Sequence, residues 1–188
     1  MRDLKTRQFA KAEPIYFAGD TGVRLMKVVS GAVMVFQIFE DGRRQITDFV
    51  TPGELLHFDF DGAVDHYAEA LTEVELIQIE ASAALTDPDW ADYIFKQMRE
   101  RLGRERKHVA LLGCKSAAER LAEFLIIVSE RLTSPVGDLE LPMTRQQIAD
   151  YTGLTIETVS RLFSRWTRER RLIPTGRRTY RIEGALAA

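Results

Sequence analysis

The chain has 188 residues, of which 45% are apolar and 29% are charged, and its formal net charge is −2 at pH 7. This composition excludes a disordered chain, no apolar run approaches the roughly 18 residues of a membrane span, and the first residues lack the apolar core of a secretion signal. The single cysteine, Cys114, excludes an intrachain disulfide and a four-thiolate metal site within one chain, so we expect a cytoplasmic protein.

Residues 1–85 are predicted to form short β-strands separated by turns. Between two apolar segments, Glu40-Asp41-Gly42 is typical of a hairpin, because Asp-Gly tolerates the positive φ of a tight turn. The apolar segments are too closely spaced for crossover helices, so we expect an antiparallel barrel or roll. The predicted strands are 15–17, 25–29, 32–39, 45–50 and 74–79.

Residues 86–114 change to a helical period. Thr86-Asp87-Pro88 is typical of a helix start, and apolar side chains then recur three and four residues apart, with Glu105 at the one polar position. Spacing alone fits equally a helix packed on its own domain. Lysines and arginines flank the stripe and leave only a narrow apolar seam, so we expect a parallel coiled coil joining two copies. The predicted dimerisation residues are Phe95, Met98, Leu102, Val109 and Leu112.

The segment from Gly113 to Ser116 is a predicted hinge and domain boundary. Gly113 weakens the long helix, and Ser116 with Glu119 forms a capping box that opens a new helix to about Arg131. We therefore divide the chain into a sensor-like domain (1–85), a dimerisation helix (86–114) and a C-terminal domain (115–188).

The C-terminal domain has the plan of a winged helix-turn-helix. Thr144 and Gln147 form a second capping box, Gly153 follows the short helix, and Thr155 caps the next helix. Two short strands, 172–176 and 180–182, would surround a basic wing tip. The inner face of the second helix is predicted to consist of Val159, Leu162 or Phe163, and Trp166.

The outer face of that second helix carries residues suited to reading DNA bases. Arg161 can donate two hydrogen bonds to guanine, Glu157 can accept one from cytosine, and Ser160 can touch a neighbouring base. Taken alone, Glu157 and Arg161 are more often an i,i+4 salt bridge, but the helix-turn-helix context favours base contacts. From Thr144 onward, 9 arginines stand against 4 acidic residues. The predicted phosphate contacts are Arg145, Thr158, Arg165, Arg177 and Arg178.

Residues 144–161 resemble the recognition signature of the CRP/FNR superfamily of transcription regulators. The core Glu157-Thr158-Val159-Ser160-Arg161 is similar to the FNR/FixK branch, where Glu, Ser and Arg read a TTGA-type half-site. Segments 17–20, 29–33, 41–46 and 52–56 resemble the family's sensor domain. The resemblance implies an α+β fold with an N-terminal, cyclic-nucleotide-binding-like β-roll, a long dimerisation helix and a winged helix-turn-helix. It also implies a homodimer that binds double-stranded DNA and contacts RNA polymerase, and activation is favoured over repression.

The sensor-like domain lacks the residues of the familiar effectors. Cyclic-nucleotide members carry an Arg after a Gly-Glu-Leu segment; Gly53-Glu54-Leu55 is present, but no Arg or Lys occurs between Arg44 and Lys96. Because a buried phosphate without a cation is costly, we expect no cyclic nucleotide. With Cys114 as the lone thiol, we expect no iron–sulfur cluster, and we predict no metal and no cofactor. Cys114 stays a candidate redox residue near the hinge.

Two alternatives use the β-roll differently. The first is a ligand-responsive transcription factor with either a haem or a small-molecule pocket, which a thermal-shift screen would detect. The second, a cupin-like metalloenzyme, needs closely spaced histidines and a carboxylate, and metal analysis would test it. The pocket residues would be Phe49, Leu56, Phe58 and Phe60, and the candidate histidines are His57, His66 and His108, none of them at ligand spacing.

Overall fold

The computed structural model describes residues 5–21, 24–58, 62–132, 138–184 and 186. Within these ranges the chain forms ten strands and five α-helices. They divide into two compact units, residues 1–106 and 107–188, which are described in turn. None of the helices in these ranges is long and apolar enough to cross a membrane.

The first unit is built from two antiparallel sheets followed by helices. One sheet has the order β1-β7-β3 and the other β2-β6-β4-β5. The helix α2 continues into the second unit. The elements are β1 Lys5–Phe9, β2 Pro14–Tyr16, β3 Leu25–Ser30, β4 Val33–Ile38, β5 Arg44–Val50, β6 Tyr67–Ala70, β7 Val74–Ile79, α1 Ala81–Thr86 and α2 Pro88–Cys114.

The interior of the roll is filled by apolar side chains. Val33, Val35, Val50 and Leu56 are fully buried in one cluster, and each such burial contributes about 1.5–3 kcal/mol. Gly42, at φ 80°, closes the predicted hairpin between β4 and β5. The antiparallel roll is therefore confirmed.

Two strands of the first unit are not among those predicted from the sequence. β1 is mostly polar, four of its five residues are exposed, and it is an edge strand that pairs only with β7. β6 has four residues, two of them the small Ala68 and Ala70, and carries almost no apolar signal. Both form through pairing with distant strands rather than through local preference.

The second unit is a winged helix-turn-helix. Its elements are the end of α2, then α3 Ala117–Arg131, β8 Leu139–Glu140, α4 Arg145–Thr152, α5 Ile156–Arg168, β9 Leu172–Pro174 and β10 Thr179–Ile182. The three strands pair antiparallel in the order β8-β10-β9, so the predicted wing is present and gains a third strand from residues 139–140.

The helix ends follow the predicted caps. Asp87 accepts hydrogen bonds from the backbone N–H groups of Asp89 and Trp90, at 3.0 and 3.4 Å, and α2 begins at Pro88. Ser116 and Glu119 form the capping box of α3, through reciprocal bonds of 3.4 and 2.8 Å.

The division between the units lies within α2, at residues 106 and 107, rather than at the predicted 114 and 115. The physical reason is burial: His108 and Leu111, 7% and 0% exposed, pack inside the second unit. The predicted dimerisation helix is thus shared between the units, and its last two turns belong to the second unit.

Candidate nucleic-acid interface

The turn between α4 and α5 is set by local interactions. Thr144 and Gln147 cap α4 reciprocally, at 3.2 and 2.7 Å. Gly153 ends that helix in the left-handed region, at φ 62°, where its missing Cβ also leaves room for Leu112 Cδ2, which would lie 3.1 Å from a Cβ. Thr155 Oγ1 then accepts from the Thr158 N–H at 3.2 Å and caps α5.

Helix α5 separates an apolar face from a polar one. Its buried residues are Val159, Leu162, Phe163 and Trp166. Glu157, Ser160 and Arg161 are all exposed on the other side. The predicted inner face is therefore confirmed, and the structure leaves the three predicted base-reading side chains open to solvent together.

A chain of hydroxyl groups places the Arg161 side chain. Arg161 Nη2 donates to Thr158 Oγ1 at 3.3 Å, and that hydroxyl lies 3.1 Å from Thr155 Oγ1. Thr158, predicted to contact phosphate, thus contacts Arg161, which is predicted to read a base. The same end of α5 lowers the pKa of Glu157, through its backbone N–H, the Thr155 hydroxyl and the nearby Arg161 charge. Glu157 is therefore an ionised acceptor at neutral pH, as a contact to a cytosine amine requires.

Arg145 differs from the simple phosphate contact that the sequence predicts. Its guanidinium carbon lies 3.3 Å from the Phe163 ring centroid, and its Nη2 donates to Tyr180 Oη at 2.8 Å. Burial lowers the pKa of Arg145, against the opposing effect of Tyr180, but a guanidinium stays charged. Arg145 therefore ties α4 to α5 and to β10, and a phosphate contact by this residue stays a prediction.

The other predicted phosphate contacts lie at the surface. Arg165 is exposed and lies 3.9 Å from Glu169 Oε1. Arg177 and Arg178 are at the wing tip between β9 and β10, and Arg178 also donates to the Pro142 carbonyl at 2.9 Å. The contact of Arg145 with Tyr180 and that of Arg178 with Pro142 could not be predicted from local spacing, because the two residues of each pair are more than thirty positions apart.

The predicted seam of α2 is largely uncovered in the single chain. Phe95 and Val109 are each 70% exposed, while Met98 and Leu102 are 42% and 46% exposed. Leu112 is half-buried within the second unit. Exposed large apolar side chains at this spacing on one helix mark an interaction surface.

The three histidines all have protein partners. His57 Nε2 lies 2.7 Å from the Arg24 carbonyl, and His108 Nε2 lies 2.8 Å from that of Tyr151. His66 lies between Tyr16 Oη and Asp65 Oδ1, at 2.7 Å from each. The hydrogen bond with His66 lowers the pKa of Asp65. No cluster of three or more His, Cys, Asp or Glu suited to a metal occurs in the described ranges.

The residues of the predicted small-molecule pocket and the candidate redox residue Cys114 lie in different environments. Phe49 and Leu56 are buried side chains, 3% and 0% exposed, and Leu56 belongs to the apolar cluster inside the roll. Phe58 packs on a second apolar cluster, and Phe60 lies outside the described residues. Cys114 is exposed at the end of α2.

Comparison with known proteins matches one segment in each unit. Residues 6–86 match the cyclic nucleotide-binding domain family and residues 119–184 match the Crp-like helix-turn-helix domain family. The nitrogen fixation regulation protein FixK of Rhizobium meliloti is 36% identical over 170 residues, covering 85% of this chain and 73% of FixK. FixK of Bradyrhizobium diazoefficiens is 34% identical over 167 residues, covering 85% and 70%. The structure of FixK2 from Bradyrhizobium japonicum superposes with a TM-score of 0.88 at 31% identity, covering 97% of this chain and 94% of FixK2.

The β-roll, the long helix and the winged helix-turn-helix, together with the FixK relatives, define a DNA-binding transcription regulator rather than an enzyme. The chain belongs to the CRP/FNR family, in its FNR/FixK branch.

Proposed function

We propose that the protein binds as a homodimer to a palindromic DNA site with TTGA-type half-sites and activates transcription from it. The observation that carries this proposal is the exposed trio of Glu157, Ser160 and Arg161 on the outer face of α5. Together they offer a carboxylate acceptor, a hydroxyl and a two-pronged donor, which are the groups that distinguish base pairs in the major groove.

The exposed seam of α2 supports the dimer. Phe95 and Leu102 occupy the a positions of two successive heptads, with Met98 at the d position between them. All three side chains are exposed to solvent in a single chain. Pairing two copies along this seam would remove these apolar surfaces from water. A two-fold dimer then presents two recognition helices to half-sites about one DNA turn apart, so the site is a palindrome.

The first unit supports action without a cyclic nucleotide. The carboxylate of Glu54, in the Gly-Glu-Leu segment, already accepts from the Thr51 N–H at 2.7 Å and pairs with Arg104 at 3.1 Å. The interior of the roll is filled by its own valine and leucine side chains. We therefore propose that the sensor-like unit needs neither a nucleotide nor an iron–sulfur cluster.

Activation requires a contact with RNA polymerase, as in other members of the family. We place the protein in the cytoplasm on this function, because its two partners, chromosomal DNA and RNA polymerase, are found there in bacteria.

Selection from a pool of random duplex DNA by the purified protein tests the proposal. We expect enrichment of an inverted repeat with TTGA-type halves, and the recovered spacing reports the symmetry of the bound species. No preference for any sequence over bulk competitor DNA, with the protein reduced or oxidised, would overturn it.

A further inference from the structure

One arginine of α2 bridges two carboxylates of the first unit. Asp48 on β5 is 4% exposed, and its Oδ2 accepts from Arg104 Nη2 at 3.0 Å and from Arg104 Nε at 3.3 Å. Arg104 Nη1 lies 3.1 Å from Glu54 Oε1, in the turn that follows β5. A single guanidinium therefore joins a helix, a strand and a turn.

Both carboxylates are held in place independently of Arg104. Glu54 Oε2 accepts from the Thr51 N–H and from Thr51 Oγ1, at 2.7 and 3.0 Å, and Asp48 Oδ1 accepts from the Phe49 N–H at 2.9 Å. Burial alone lowers the pKa of Arg104, but the charges of Asp48 and Glu54 raise it above its ordinary value. The protein thus builds an anionic recess that a guanidinium fills.

Two more side chains of α2 bind the same turn. Arg101 Nη1 donates to the Leu56 carbonyl at 3.0 Å, and the Tyr93 hydroxyl donates to the Gly53 carbonyl. With Arg104 they attach one face of α2 to residues 53–56 through polar contacts. Such contacts have defined directions, so they constrain the rotation of the helix about its axis.

The rotation of α2 decides which residues face outward. Ile94 and Gln97, on the attached face, are 2% and 7% exposed. The next residue after each, Phe95 and Met98, is turned by about 100° and is exposed, as is Leu102 after Arg101. The attached face and the predicted seam are therefore adjacent stripes of one helix.

We infer that Arg104 is a positioning residue for dimerisation: it supplies from within the chain the cation that Asp48 and Glu54 require, and so holds α2 with its seam facing a second copy. This inference rests on the proposed dimeric function. No effector is needed, because the guanidinium that completes the recess is part of the chain.

Replacing Arg104→Ala tests the inference by emptying the recess. We expect the dimer dissociation constant, measured by sedimentation equilibrium, to rise at least about tenfold, since α2 loses the ion pairs with Asp48 and Glu54 that hold its seam outward. DNA affinity at low protein concentration falls in parallel and recovers once the protein concentration exceeds the new dissociation constant. Millimolar n-propylguanidinium restores the dimer, and Arg104→Lys is intermediate.

Lys96→Ala is the matched control, because Lys96 is an exposed cation of the same helix at a b position, away from the a and d seam, and it should leave the dimer unchanged. Should Arg104→Ala fail to fold, the triple variant Arg104→Met, Asp48→Asn, Glu54→Gln removes all three charges without leaving an unpaired ion, and the same weakened dimer is expected.

A folded variant at Arg104 that dimerises and binds DNA like the unmodified protein would overturn the inference, as would lost DNA binding in a variant that stays fully dimeric. An unmodified protein that is monomeric or shows no sequence preference would instead refute the proposed function.

Discussion

Arg161 and Arg177 carry the same guanidinium group at two different places, and replacing each should affect DNA binding differently. Arg161 lies on the exposed face of α5, while Arg177 lies at the exposed wing tip. We expect Arg161→Ala to cost about 1–3 kcal/mol on the selected site and to relax discrimination at one base pair. Anisotropy titrations against the site and its single-base variants measure both effects.

Arg177→Ala is the companion variant. It should weaken binding to all sequences alike and reduce the dependence of log K on log salt by about one phosphate contact. Arg178 serves less well for this purpose, because it also holds the Pro142 carbonyl. If Arg161→Ala also weakened every sequence equally, the base-reading role of Arg161 would be wrong.

The contacts of Arg145 predict that this side chain contributes to the free energy of unfolding. Because its guanidinium stacks on Phe163 and bonds to Tyr180, Arg145→Ala should lower the free energy of unfolding by about 1–3 kcal/mol, from the cation–π and hydrogen-bond contributions. Urea denaturation measures the change.

Tyr180→Phe, which removes only the hydrogen bond of Arg145, should cost about 0.5–1.5 kcal/mol. The exposed Arg177→Ala should change stability by less than about 0.5 kcal/mol. Equal stability of Arg145→Ala and the unmodified protein would contradict the packing role.

The capping box of α3 makes the stability of this helix depend on pH. Hydrogen bonds from the Ser116 side chain and backbone lower the pKa of Glu119 below its ordinary value of 4.5. A carboxylate whose pKa is lower in the folded state contributes stability above the unfolded pKa, and this contribution is lost as the pH falls through the folded pKa. The melting temperature should therefore fall below pH 4.5 partly through this residue.

Glu119→Gln isolates that contribution, because glutamine can still accept from the Ser116 N–H but does not titrate in this range. As the pH is lowered from 4.5, the melting temperature of the variant should fall less than that of the unmodified protein. Identical slopes in thermal melts of the two proteins would show that Glu119 contributes nothing to the pH dependence.

Prediction at the scale of elements succeeds where the determining interactions are local. The caps at Thr144 and Ser116 and the two faces of α5 depend on residues three or four positions apart, so their sequence patterns identify them. β8, by contrast, has two residues and exists only through its pairing with β10, a partner far along the chain.

For the whole molecule, the seam of α2 predicts the state of association. Leu102→Asp places a charge at the centre of the proposed interface, so we expect a monomer in sedimentation velocity and loss of binding to the palindromic site. Leu85→Asp is the matched control, because Leu85 on α1 is 47% exposed against 46% for Leu102 and lies outside the seam. A Leu102→Asp protein that stays dimeric would place the interface elsewhere.

The sequence by itself determined the two kinds of unit, the recognition helix and the three side chains it exposes, because helical periodicity and capping act within a few residues. Only the tertiary structure decided that Arg145 packs against Phe163 and Tyr180, that Arg104 joins Asp48 and Glu54, and that the units divide within α2. Each of these depends on side chains that meet only after the chain has folded, and a local pattern of charges or apolar residues carries no record of such distant partners.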